Sequence, residues 1–133
     1  MMLSEIAKKY YLSGYNCAES LLLASNDHYG LGLTTREVLM MKGFGGGFGV
    51  GAACGAMTGA LAALGLIYST TKNAVEGGMR QDAAAFVREF EAALGNMNCS
   101  VVKASFFEPE MRCAKTVVLG ADVLEKHIAE LNK

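Results

Sequence analysis

Between positions 43 and 71 the chain carries no Asp, Glu, Lys or Arg, and nine of those residues are glycine, crowded into the first half. An uncharged run of this length belongs either in a bilayer, which about 20 apolar residues span, or in a protein interior. Only residues 52–67 read as a continuous apolar helix, which is short for a span. The expectation is therefore a central Gly/Ala-rich helix buried on all sides, with an irregular glycine segment before it.

The remainder of the sequence also has a helical period. Leu3, Ile6, Ala7, Tyr10 and Tyr11 make one stripe, and Gly14 ends it. Asn16 with Glu19, and Thr34 with Glu37, are capping boxes that open the next two helices, with Leu33 stapling onto Val38. The third helix dies in the glycine run. A fourth starts near Ala52 or Cys54, and a fifth covers roughly 74–94 with Gly95 as its stop. Asn98 caps a short helix reaching about Phe106. Pro109 suits the first position of the last helix, which carries Val117, Ala121, Leu124 and Ile128 at helical spacing. No alternating strand pattern occurs. The expected fold is all-α, a compact bundle of about six helices in one domain spanning residues 1–133.

Against that map the four cysteines share a placement. Cys17 follows the Asn16 cap, Cys99 follows Asn98, Cys113 lies in the first turn after Pro109, and Cys54 heads the glycine-flanked helix. A helix N-terminus presents unpaired N–H groups and partial positive charge, which favour a thiolate. The thiolate is both the nucleophile and the metal ligand. The dipole contributes at most about 2 kcal/mol, so alone it takes a thiol from about 8.5 to about 7. Cations must do the rest. Cys99 has Lys103 one turn on, and Cys113 has Arg112 beside it and Lys115 nearby, so these two are the expected reactive pair. The cysteines are 37, 45 and 14 positions apart, which leaves no C-x-x-C and no C-x-x-C-H. A site using all four has to be assembled by packing four helices.

One cysteine, a C-G-A-x-x-G segment and two further cysteines, in that order, resemble the C_GCAxxG_C_C family of redox-active proteins. The matching residues are Cys17 in GYNCAES, Cys54-Gly55-Ala56-Met57-Thr58-Gly59, Cys99 and Cys113. The resemblance implies a redox role for the cysteines, with an electron donor or acceptor protein as partner. It implies an oxidoreductase-associated protein with no defined substrate. A similar helical module accompanies some multihaem cytochromes, which adds an iron–sulfur centre to the chemistry to be weighed.

Three uses of the cysteines follow. Thiol–disulfide electron transfer would use Cys99 and Cys113, with Cys17 and Cys54 as partners or resolving thiols. A metal site would use all four thiolates around an iron–sulfur cluster or zinc, with Gly55 and Gly59 letting backbone approach the cofactor. The third is four small inert hydrophobes in a core. In each case Gly55 and Gly59, one helical turn apart, let neighbouring helices come close to Cys54.

Other functions are disfavoured. The net charge of −1, with both signs mixed along the chain, offers no basic stripe for nucleic acid. Gly47-x-Gly49-x-x-Ala52 follows no strand and so is out of context for a dinucleotide. No signal peptide is read at the N-terminus, so the expected location is the cytoplasm, where structural disulfides are rare. The apolar fraction of 52% is compatible with a homodimer. His127, near the end of the last helix, reads as a partner of the helix dipole.

Overall fold

The structure, a computed structural model, describes residues 1–71 and 74–132. It is all-α, with seven α-helices among the described residues and no strand beyond isolated bridges. These are α1 (Leu3–Leu12), α2 (Cys17–Tyr29), α3 (Thr35–Leu39), α4 (Gly55–Ser69), α5 (Met79–Leu94), α6 (Cys99–Phe106) and α7 (Ala114–Leu131). None is long and apolar enough to cross a membrane.

Helix α4 packs against α2, α5 and α7, while α1 packs against α2 and α7. Phe86, Phe90, Leu3, Leu21, Leu64, Leu124 and Ile128 are fully buried between them. The expected helix buried on all sides is corrected in one respect. Ala62 and Leu66, one turn apart on α4, are exposed, because among the described residues no helix covers that strip. The opposite faces are sealed by glycine. A Cβ on Gly59 would run into the backbone of Ala18, including its carbonyl oxygen and, at 2.8 Å, its Cα. A Cβ on Gly55 would lie 3.1 Å from the Cβ of Cys17. The two glycines thus let the start of α4 lie directly on the start of α2.

Both capping boxes form. Asn16 Oδ1 accepts the Glu19 N–H at 2.8 Å, and Glu19 Oε1 accepts the Asn16 N–H at 3.0 Å. Glu19 Oε2 also meets Lys42 Nζ at 3.5 Å, and Asn16 Nδ2 donates to the Lys42 carbonyl at 3.1 Å. The cap of α2 therefore anchors the entry to the glycine run.

Two helix starts differ from expectation. Helix α5 begins at Met79 because Tyr68 holds the preceding segment as a turn. Its hydroxyl donates to the Val75 carbonyl and accepts the Val75 N–H, both at 3.1 Å. Helix α7 begins at Ala114, so Pro109 does not open it. Glu108 and Arg112 exchange backbone hydrogen bonds of 3.0 and 2.6 Å, closing a turn that contains Pro109. A fixed φ suits proline to such a turn. The turn leaves Arg112 in the left-handed region at φ 53°, and Cys113 becomes the N-cap of α7.

Candidate functional site: a four-cysteine pocket

Each cysteine stands where a helix begins. Cys17 and Cys99 are the first residues of α2 and α6; Cys54 and Cys113 are the N-caps of α4 and α7. All four line one pocket of about 470 Å³. Their thiols are free.

A short backbone ribbon sets two of them. Ala53 and Asn98 form an antiparallel bridge, in which Cys54 N–H donates to the Met97 carbonyl at 2.8 Å and Cys99 N–H donates to the Ala52 carbonyl at 2.5 Å. Side chains alternate along such a ribbon, so Cys54 and Cys99 project to one side while Ala53 and Asn98 project to the other. This bond to Ala52 satisfies the start of α6 without a side-chain cap from Asn98. The glycine run makes room for it. Gly47 has φ 61°, and a Cβ there would sit 2.8 Å from the Cβ of Cys99. Glycine is the residue that accepts both demands.

The other two thiols are partners. Cys17 and Cys113 are neighbours in the pocket, and their titrations move in opposite directions. The interaction with Cys17 draws the Cys113 thiol down to about 6 against the opposing effect of burial, helped by Tyr11, Lys103 and Arg112. The same interaction, followed by burial, pushes Cys17 well above the ordinary thiol range. Cys113 is thus the more acidic thiol of the pair. Burial raises Cys54 to about 11, the amides of Ala56 and Met57 only partly offsetting it. Burial also raises Cys99, with the charge of Cys113 adding and Lys103 opposing.

Of the expected reactive pair, Cys113 is the more acidic thiol, while at Cys99 the charge of Lys103 does not overcome burial. The thiol with the largest influence on Cys113 is Cys17. Sequence neighbours could not show this, since Cys17 and Cys113 lie on helices far apart in the chain. Lys115 has its ammonium 5.6 Å from the centre of the Phe106 ring and does not line the pocket.

Tyr11, which the sequence placed only in the apolar stripe of the first helix, also lines this pocket. Its hydroxyl oxygen accepts the Cys113 N–H at 3.1 Å, and the hydroxyl supports the Cys113 thiolate. Burial pushes the phenol itself up to about 12, so it stays protonated as a donor. The Arg112 guanidinium lies 4.8 Å from the centre of the Tyr11 ring, held there by the turn that ends in Cys113.

Gly55 lines the pocket, whereas Gly59 lies deeper in the α2–α4 contact. Among the described residues, no three Cys, His, Asp or Glu side chains are placed as ligands of one metal ion. The four sulfurs share a pocket without closing to the tetrahedral Cys₄ shell of a single metal ion.

Residues 15–127 match the family described as "Putative redox-active protein (C_GCAxxG_C_C)". The chain belongs to this family. That description spells its central motif Gly-Cys-Ala-x-x-Gly; here Cys54 precedes Gly55, ahead of Ala56 and Gly59. Comparison with curated proteins and with solved structures gave no match.

Proposed function

We propose that the protein is a thiol–disulfide electron carrier in which Cys113 is the nucleophile and Cys17 the resolving thiol. The observation that carries this reading is that Cys17 and Cys113 line one pocket open to small molecules, where the proximity of Cys17 makes Cys113 the more acidic thiol. The Cys113 thiolate attacks a substrate disulfide, forming an S–S bond to Cys113 and breaking the substrate's own. The first substrate thiolate leaves with that electron pair and takes a proton. Cys17 then attacks the Cys113 sulfur, its own proton passing to the second substrate thiolate as that departs. The substrate gains two electrons and becomes two thiols, while Cys17 and Cys113 become a disulfide.

Cys54 and Cys99 are a second pair: exchange of their two thiols with the Cys17–Cys113 disulfide returns Cys17 and Cys113 to thiols and leaves a Cys54–Cys99 disulfide, which an electron donor protein reduces with two electrons and two protons. The reading fits a reducing compartment such as the cytoplasm, where a carrier of this kind is returned to the dithiol.

Treating reduced protein with excess disulfide and mapping peptides without reductant tests the assignment. A Cys17–Cys113 crosslink that reductant removes is the expected result. If all four thiols alkylate identically after oxidant and after reductant, the reading fails. Stoichiometric iron or zinc in anaerobically prepared protein would favour a metal centre instead.

A further inference from the structure

The pocket has a charge character that thiol exchange alone does not require. Lys42, Lys103 and Arg112 line it and no carboxylate does. Lys42 is matched by Glu19. Lys103 and Arg112 have no carboxylate partner among the described residues; each lies over an aromatic ring, Phe107 at 5.0 Å and Tyr11 at 4.8 Å. The helices α2, α4, α6 and α7 all begin at this pocket, so the partial positive charges of four helix N-termini add to the positive field.

A separate feature points to a ligand. Thr116, on the first turns of α7, lines the same pocket and is 2% exposed. Its Oγ1 is buried without a hydrogen-bond partner. A buried hydroxyl left without a partner is costly, on the order of 1–3 kcal/mol, and such a group is explained when a ligand atom completes it. The pocket's volume of about 470 Å³ is that of a small-molecule site.

We infer that this pocket binds a small disulfide bearing carboxylates, with Lys103 and Arg112 holding a carboxylate, Thr116 donating to it, and the S–S bond presented to Cys113. The inference rests on the thiol-exchange reading and names its substrate class. Its electron balance is the one given above: the carboxylate-bearing disulfide takes two electrons and leaves as two carboxylate-bearing thiols, while Cys17 and Cys113 are joined.

Three disulfides that differ in charge test it on the reduced full chain: dithiodipropionate (anionic), hydroxyethyl disulfide (neutral) and cystamine (cationic). Each rate of thiol release is divided by the rate of the same disulfide with mercaptoethanol thiolate, which removes intrinsic reactivity. The expected result is a preference of about tenfold or more for the anion over the neutral compound, the low end of electrostatic steering, shrinking as salt is added. Lys103→Gln, at an exposed position, and Thr116→Val, which keeps the side-chain shape, should each lower that ratio, the rate with dithiodipropionate falling more than the rate with hydroxyethyl disulfide. Suberate, in which methylenes replace the two sulfurs, should bind by calorimetry where octanediol does not. Equal normalised rates and no suberate binding overturn the anionic substrate class, leaving thiol exchange standing. Suberate binding with no thiol released from any disulfide overturns thiol exchange instead, and the substrate assignment with it.

Discussion

The amide of Cys113 donates to the phenol oxygen of Tyr11 at 3.1 Å, joining positions 102 residues apart. The tyrosine is 5% exposed, so its hydroxyl is fixed by packing at the head of α7. Tyr11→Phe keeps that packing and removes only the oxygen. A hydrogen bond to a charged group is worth roughly 1.5–3 kcal/mol, or about one to two pH units. The alkylation of Cys113 by iodoacetamide should then shift to higher pH by about one unit or more, with helical content unchanged. An unshifted profile would remove Tyr11 from the site.

In the unmodified protein the four thiols should alkylate in a set order as pH rises. The thiolate is the reactive form and populates above its pKa, so Cys113 should gain reactivity through about pH 6. Cys54 should respond only near pH 11. Cys17→Ala removes the largest influence holding Cys113 down, so the Cys113 profile should move upward toward an ordinary thiol. Peptide mapping with isotope-coded alkylating reagents separates the four profiles. If Cys113 keeps its low profile after Cys17→Ala, the two thiols are not the partners described.

Three glycines on α4 should respond differently to the same change. Gly59→Ala drives a methyl group into the Ala18 backbone, which cannot move without separating α2 from α4. It should destabilise by about 1–3 kcal/mol or more, as overpacking does. Gly55→Ala meets the Cys17 Cβ at 3.1 Å, the Phe44 carbonyl oxygen at 3.2 Å and the Ala18 amide nitrogen at 3.3 Å, a tight but smaller misfit. It should cost less stability, while Gly55→Val should disturb the Cys17 position. Gly65→Ala meets nothing within 4 Å in mid-helix and should stabilise by about 0.5–1 kcal/mol. Urea unfolding of the three alanine variants checks the ranking; equal effects would mean that α4 does not rest on glycine contacts.

What could be read beforehand was local. The boxes at Asn16/Glu19 and Thr34/Glu37 each close over three residues, so their spacing predicts them. The same local logic put all four cysteines at helix starts, and the structure places them there. The pairing was not legible, because Cys17 meets Cys113 through the contact of α1 and α2 with α7, and no spacing encodes that contact. Tyr11 looks like any other stripe residue until the turn closed by Glu108 and Arg112 brings the Cys113 amide to it. Pro109 obeys a rule for turns as well as one for helix starts, and only the backbone pairing around it decides between them.

The last such long-range feature is His127, which is 7% exposed and lies between two carboxylates of α5. Nδ1 is 2.8 Å from Glu89 Oε1, and Nε2 is 3.0 Å from Asp82 Oδ1. The ring also meets Phe86 edge-on, with centroids 5.7 Å apart. Its role is thus to clamp α7 to α5 rather than to answer a helix dipole. Burial pulls the imidazole down, but the hydrogen bonds to Glu89 and Asp82 outweigh it, and the folded value lies above the ordinary 6.5. The protonated ring is therefore bound more tightly in the folded chain than in the unfolded one. Its stabilisation is fully present below about pH 6.5 and is lost as pH rises through the raised folded value. His127→Gln leaves one amide between two carboxylates and cannot titrate. The difference in unfolding free energy between the parent and His127→Gln should therefore be largest in mild acid and shrink as pH rises past neutrality. Taking that difference cancels the opposite trend contributed by Cys113, whose thiolate favours the folded state more as pH climbs from about 6 toward the ordinary thiol range. Urea titrations of both proteins across this range measure it, and a difference independent of pH would show that the ring is neutral in the fold.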